Sequence, residues 1–480
     1  MFKNISIQTL SVVLMSFFQI LSIIILARIL TPIVFGQLAA ASVLIGLAAA
    51  FAEIGVGSAI VQKKNITPGF ITTAFIITSM LFLILATLIY FFAPYIASYN
   101  KDDSLISVIR FLCISFFLNG ISSIPKGLLL RELQYKKLLY CSVIPFITSI
   151  NIVSVSLAFY GFGIWSIVYG QTLNSLLVFL GSTFFANSRL TISLDFGHIK
   201  HLLYFGGGIT LSRLFNYLSV AGDRLVLGNT MNLEFLGIFE RLYKISSLIS
   251  SQLGSIFDNI IFPLFSKEQD NHKLLAAMYY KAIEAASIIG LLIGLIAPLF
   301  SYELTFLILG SQYLEYHYVL QILLILSFTR LLTRAGDAIL RSQAMVYESA
   351  IVKLCSAIIA IGGIYITSQY GLYLIPFAYL LSSLFTSIVL HVLISRRINS
   401  SLKKALLIIV KNILSISLIL LPIWAVVYIF TNLVGSIEIL LLKVFLLCIV
   451  GYIIYYYPKI LGASFDELLN KIKNKFLKIT

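Results

Sequence analysis

Residues 7–27 read IQTLSVVLMSFFQILSIIILA, and Arg28 follows at once. The block carries no charge and matches the roughly 20 residues that a helix needs to cross a bilayer. It is too long for a signal-peptide core, and no small-residue cleavage site accompanies it. It therefore reads as a retained first membrane span. A membrane barrel is excluded, because barrel strands are about 10 residues long and alternate apolar with polar positions.

The same pattern recurs along the chain. Of 480 residues, 60 % are hydrophobic and 11 % charged. A soluble domain carries about 25 % charge. At about 20 residues per span, the apolar content suffices for about fourteen spans. This excludes a soluble enzyme and a disordered chain. The net charge of +15 does not indicate a nucleic-acid binder, because the basic residues sit between apolar blocks, which is the pattern of membrane topology. No polar stretch leaves room for a soluble catalytic domain. Cys113, Cys141, Cys355 and Cys448 all lie inside apolar blocks. They read as small buried residues rather than disulfides or ligands.

Turn chemistry at Thr31-Pro32, Asn65 to Pro68, Ser123 to Pro125, Gly161, Asn229-Thr230 and Gly371 separates the spans. They are predicted at about 8–27, 37–60, 70–97, 105–124, 138–159, 164–186, 201–222, 234–264, 276–300, 316–343, 349–368, 372–394, 405–430 and 435–457. The predicted fold class is an all-α integral membrane protein of about fourteen helices. Loop Lys and Arg fall almost entirely on one side, from Lys3, Lys63 and Lys64 through Arg341, Lys353 and Arg396 to Lys478. The other side has Arg28, Lys101 and Arg224. Both termini are therefore expected in the cytoplasm.

Tyr160-Gly161 followed by Tyr169 recurs as Tyr370-Gly371 followed by Tyr379, 210 residues on. A weaker echo sets Leu30-Thr31 to Phe35-Gly36 against Asn229-Thr230 to Leu236-Gly237. The shift equals six spans, so the copies share orientation and their pseudo-twofold axis runs along the membrane normal. The expected domains are an N-terminal six-helix lobe at 1–187, a second at 188–398, two appended helices at 399–457 and a basic amphipathic tail at 458–480. The tail reads as an interfacial cytoplasmic helix.

Ionisable groups inside spans are costly and usually face a polar cavity. The first lobe has few, Glu53 and Arg110. The predicted seventh to tenth spans hold Arg213, Arg241, Lys244, Lys281, Arg330 and Arg334, with Glu240, Asp258, Glu284 and Asp337. Glu240 and Lys244, and Lys281 and Glu284, have the spacing of intrahelical ion pairs. Asp337 can pair with Arg334 or Arg341. Arg213 and Arg330 have no acidic neighbour at helical spacing. The six basic residues are candidates for a hydrated cationic cavity that accepts an anionic headgroup, since guanidinium groups hold phosphate in a fixed fork. The alternative is interhelical ion pairing with snorkelling to the interface. Lys411 and Lys443 read as snorkelling residues. Glu53, Asp258 and Asp337 are candidates for ion coupling, and Glu53 and Asp258 read equally as helix-packing or surface positions. Asp102 and Asp103 lie in an outer loop and suggest neither metal nor catalysis.

Several segments carry a family likeness. Arg28-Ile-Leu-Thr-Pro-Ile-Val-Phe-Gly36 resembles the start of polysaccharide and O-antigen flippases. So do Ala52-Glu53-Ile-Gly-Val-Gly-Ser-Ala-Ile-Val-Gln62, Gly161-Phe-Gly-Ile-Trp-Ser-Ile-Val-Tyr-Gly170 and Leu202 to Gly206. Asp223-Arg224-Leu-Val-Leu-Gly228, Leu236-Gly237-Ile-Phe-Glu-Arg-Leu-Tyr243 and Phe262-Pro263-Leu-Phe-Ser266 are similar too. In order and spacing they resemble the Wzx branch of the multidrug/oligosaccharidyl-lipid/polysaccharide exporter superfamily, of the colanic-acid and teichuronic-acid type.

The resemblance implies two lobes around a central cavity, alternating access, and a substrate of one oligosaccharide unit on undecaprenyl pyrophosphate. It implies a multi-pass protein of the bacterial cytoplasmic (inner) membrane with no enzyme activity, no cofactor and no nucleic-acid partner. Membrane lipids, a polysaccharide polymerase and a chain-length regulator are the implied partners. Coupling to an ion gradient is implied as well. No Walker-type Gly-x-x-x-x-Gly-Lys loop occurs. The cations of this chain concentrate in the second lobe, which departs from relatives with basic residues in the first. The competing readings are an ion-coupled small-molecule or multidrug exporter of the same superfamily, and a membrane polymerase or glycosyltransferase. An exporter of cations needs an acidic cavity, and the membrane enzymes need a sizeable outer loop or early outer-loop carboxylates, which this chain lacks.

Overall fold

The computed structural model describes residues 2–52, 67–186, 217, 221–268, 271–343, 345–430, 438–439 and 441–448. Among them the chain forms helices and no strands. In chain order these are α1 (Phe2–Ile29), α2 (Pro32–Ala52), α3 (Pro68–Tyr99), α4 (Ser104–Arg131), α5 (Tyr135–Phe159) and α6 (Ile164–Ala186). A piece at 221–230 is α7, and α8 spans Leu233–Lys267. Then come α9 (His272–Ile308), α10 (Ser311–Ser342), α11 (Tyr347–Tyr370), α12 (Leu372–Arg397) and α13 (Leu402–Phe430).

Eleven of these, α1 to α6 and α9 to α13, are long and apolar enough to cross a membrane. They coincide with eleven of the predicted spans. The predicted eighth span is α8, a helix of 35 residues. Most of the predicted seventh and fourteenth spans, and the whole C-terminal tail, lie outside the described residues.

Local chemistry sets the helix ends. Thr67 caps α3, its hydroxyl accepting from the Phe70 amide at 3.2 Å, with Pro68 in the first turn, where its missing N–H costs nothing. Asn232 and Asn271 do the same for α8 and α9, accepting from Phe235 and Leu274 at 2.8 and 3.1 Å. The repeated Tyr-Gly turns share a backbone reason. Gly161 has φ +82° and Gly371 φ +117°, values that side chains with a Cβ rarely adopt.

The chain packs as two compact units. The first comprises Met1–Arg241, Phe306–Tyr313 and Ile364–Tyr370. The second comprises Leu242–Thr305, Leu314–Gly363 and Gly371–Thr480. The core of the second is built from Phe265, Leu275, Tyr279, Ile283, Leu331, Ile339, Leu390 and Ile394.

Within the first unit the weaker sequence echo becomes a structural pair. Gly36 and Gly237 each sit four residues after the start of their helices, at Pro32 and Leu233. A Cβ on Gly36 would overlap the Leu233 carbonyl, and a Cβ on Gly237 would overlap the Pro32 carbonyl. The two helices thus meet backbone to backbone, each glycine against the first turn of the other helix. Side-chain to backbone bonds lie beside this contact. At the end of α1, Arg28 donates to the Leu307 carbonyl at 2.8 Å, and at the end of α7, Asn229 donates to the Tyr99 carbonyl at 2.8 Å. Gln312 donates to the α1 carbonyl of Ala27 and to Leu30.

In the loop between α3 and α4, Asp102 accepts from Gln37 at 2.8 Å and from the Ser104 hydroxyl at 2.6 Å. Burial raises its carboxyl, but these hydrogen bonds outweigh burial and hold it below the usual range. Asp102 therefore has a structural role here.

Candidate functional site

The second half of α10 reads Ser327-Phe-Thr-Arg330-Leu-Leu-Thr-Arg334-Ala-Gly-Asp337-Ala-Ile-Leu-Arg341-Ser. Leu331, Leu332, Ala335, Ala338 and Ile339 are buried in the core of the second unit. Arg330, Arg334, Asp337 and Arg341 follow at spacings of four, three and four residues, which is one helical stripe on another face. The core fixes the helix, and the helix presents the charges.

Arg330 is half-buried. Its Nη1 donates to the Ser246 hydroxyl of α8 at 3.0 Å, and its guanidinium carbon lies 5.0 Å from the centre of the Tyr243 ring. Among the described residues it makes no ion pair. Ser246 is itself fixed, donating to the Leu323 carbonyl at 2.6 Å. Arg334 is exposed and lies against the α8 backbone at Gly254, where a Cβ would come within 2.9 Å of its side chain.

Asp337 accepts from three partners. Lys353 of α11 stands at 2.9 Å, Arg341 at 3.3 Å and the Ser349 hydroxyl at 2.5 Å. Spacing along one helix suggested Arg341 and could not show Lys353, which reads as a loop residue in the sequence. Asp337→Asn should lower the thermal unfolding midpoint by a few degrees, about 1–2 kcal/mol, because the three charged groups are all partly exposed. Differential scanning fluorimetry in detergent measures this. A coupling role would add a loss of transport at matched protein level.

Arg241 belongs to the first unit. Its guanidinium carbon lies 3.7 Å from the Phe35 ring centre, and its Nε is buried with no hydrogen-bond partner. Tyr313 of the same unit is fully buried, and its hydroxyl also lacks a partner. Next to Arg241, Glu240 pairs with Arg224 of α7. Arg224 is thus part of a helix, whereas the loop count placed it outside. Arg110 of α4 lies 4.5 Å from the Tyr90 ring centre, also with an unpartnered buried Nε. Lys244 is half-buried on α8 and Lys281 exposed on α9. Arg213, Glu53 and the side chain of Asp258 lie outside the described residues.

Among the described residues, aromatic faces accompany Arg110, Arg241 and Arg330. This pattern suits stacking of a weakly hydrated guanidinium while its edge N–H groups stay available for an anion. Sequence reasoning singled out Arg330 but passed over Ser246 and Tyr243, which hold it.

A family model described as "Polysaccharide biosynthesis protein" matches residues 25–318. The chain belongs to this family. The chain is 22 % identical over 307 residues to the teichuronic acid biosynthesis protein TuaB of Bacillus subtilis, covering 62 % of this chain and 63 % of that one. It is 23 % identical over 326 residues to the lipopolysaccharide biosynthesis protein WzxC of Escherichia coli, covering 67 % and 66 %. The alignments thus span slightly under two thirds of the length of these two relatives. The fold is shared with a solved structure of the lipid II flippase MurJ, at a TM-score of 0.74 and 13 % identity, covering 94 % of this chain and 98 % of that one. The chain is thus a multi-pass helical membrane protein of a polysaccharide biosynthesis family, with the fold of a solved lipid flippase.

Proposed function

We propose that this protein is a flippase that moves an oligosaccharide unit linked to undecaprenyl pyrophosphate from the cytoplasmic to the outer leaflet of the bacterial inner membrane, for assembly of a surface polysaccharide. The observation that carries the reading is Arg330. It is a guanidinium inside a membrane helix, held by a hydroxyl and a tyrosine ring, with no ion pair among the described residues. A charge in that position is expensive unless it has a use, and a pyrophosphate headgroup supplies one.

Arg213, Arg241, Lys244, Lys281, Arg330 and Arg334 line the proposed cationic cavity, which is reached by alternating access. The prenyl chain stays in lipid. Two lobes, at 1–187 and 188–398, move about the site, with 399–457 and the tail at 458–480 appended. The loop charges put both termini in the cytoplasm. The protein performs no chemistry on its substrate and hands it to a polymerase and a chain-length regulator. Glu53, Asp258 and Asp337 are the proposed coupling carboxyls. A proton reaching Asp337 would have to compete with Lys353 and Arg341.

Complementation of a deletion strain tests the reading. Without the gene, polymerised polysaccharide disappears and lipid-linked units accumulate on the inner leaflet. Arg330→Ala should reduce export about tenfold or more at normal protein level, the value of one charge-assisted hydrogen bond or two. Arg330→Lys should be milder. Unchanged export in both Arg330→Ala and Arg213→Ala would remove the cationic lining. Normal polysaccharide in the deletion strain would remove the flippase. Accumulation of cationic dyes in the deletion strain would favour a small-molecule exporter.

A further inference from the structure

Arg330 stands in a built environment. Tyr243 comes from α8, Arg330 from α10 and Tyr379 from α12. The Tyr243 and Tyr379 ring centres are 5.5 Å apart, with their planes inclined by 40°. All three side chains are half-buried. Ties on either side hold the three helices together at this level. Ser246, three residues after Tyr243, accepts from Arg330 at 3.0 Å. Ser383, four residues after Tyr379, donates to the hydroxyl of Thr329, the residue before Arg330, at 2.7 Å. Two rigid rings and one guanidinium therefore keep their mutual positions without a ligand.

A prenyl tail alone would not call for a fixed charge at this place, and a bare phosphate would not call for two rings. A sugar ring joined to a phosphate calls for both. One face of a pyranose presents C–H bonds, which pack on an aromatic face, while the phosphate takes the guanidinium N–H groups. Resting on the flippase reading above, we propose that Tyr243 and Tyr379 form the platform for the sugar attached directly to the pyrophosphate, with Arg330 on the phosphate. The trio then selects a glycosylated lipid pyrophosphate over the bare one that remains after the sugar is consumed. A flippase with that preference does not return the spent carrier.

The test uses the full chain in phosphatidylcholine nanodiscs and two probes, farnesyl pyrophosphate and farnesyl-pyrophosphoryl-N-acetylglucosamine. Wild type should bind the glycosylated probe about tenfold more tightly, the scale of one or two aromatic contacts. Tyr379→Ala should lose most of that preference and leave binding of the bare probe unchanged, whereas Tyr243→Ala, which also removes the ring beside Arg330, should lose the preference and weaken the bare probe to a smaller extent. Tyr379→Trp should keep the preference. Should Tyr379→Ala fail to elute as a monodisperse protein, Tyr379→Leu fills the space without a ring and makes the same comparison. Arg330→Ala should weaken both probes. No preference in wild type, or an equal change for both probes in the tyrosine variants, overturns the platform. Undiminished binding of both probes by Arg330→Ala overturns the cationic headgroup reading while leaving the platform to be judged on the tyrosine variants alone.

Discussion

Gly237→Val is expected to cut export below about a tenth of wild type and to destabilise the protein by about 3 kcal/mol or more. In an open helix, replacing glycine would stabilise by up to about 1 kcal/mol. Here the sign reverses. The atoms that a Cβ would meet are the Pro32 carbonyl and the Gly36 amide nitrogen, and neither can swing aside as a side chain would. The α2 and α8 helices would have to separate where they now touch. Gly36→Ala should act in the same sense, because its Cβ would meet the Leu233 carbonyl and Gly237 in turn. The two effects should not add. Once one substitution has parted the helices, the other finds room, so the double variant should cost little more than the worse single one. Gly161→Ala is the control. Nothing lies within 4 Å of its would-be Cβ, so only its φ of +82° opposes the change, and the cost should be about 1 kcal/mol. Thermal unfolding in detergent, run beside the export assay, reads all four variants. A Gly237→Val protein of normal stability and export would show that the crossing is not needed.

The spans were legible because each is a continuous apolar run between turn residues, and eleven of the predicted spans coincide with α1 to α6 and α9 to α13. Their ends were less legible. The α9 helix runs on to Ile308 through a tight turn at Ala297–Phe300, and α10 starts at Ser311. Hydropathy alone does not mark where a helix tightens rather than stops. The Gly36 and Gly237 echo was visible as a pattern, but its purpose was not. That two glycines 201 residues apart touch is decided by how α2 and α8 cross. Ion pairs were the least legible part. Helical spacing ranks only partners on the same helix. Glu240 therefore suggested Lys244 and could not show Arg224 of α7, and Asp337 suggested Arg341, which it meets, and could not show Lys353 of α11. The aromatic partners of Arg241 and Arg330 were hidden for the same reason.

Lys443 is the strongest case of this kind and gives the other large effect. In sequence it is a lone lysine in the last apolar block, where a long side chain would reach for the headgroups. In the structure it is only 6 % exposed and its ammonium lies 2.6 Å from the Glu303 carboxylate of α9. The Glu303 side chain is 17 % exposed, and its second oxygen has no hydrogen-bond partner. Lys443→Ala would leave that carboxylate buried without its cation, which costs about 3 kcal/mol or more. The pair itself need not stabilise by that amount, because bringing both charges out of water already opposes the attraction. The double variant Lys443→Met with Glu303→Leu removes the charges together and replaces them with apolar volume. It should therefore unfold at a higher temperature than Lys443→Ala and close to wild type. Glu303→Leu alone should be as damaging as Lys443→Ala, because it strands the ammonium instead. If the double variant is as unstable as either single one, the residues act through packing or through other partners. If Lys443→Ala is neutral, the lysine reaches the interface after all.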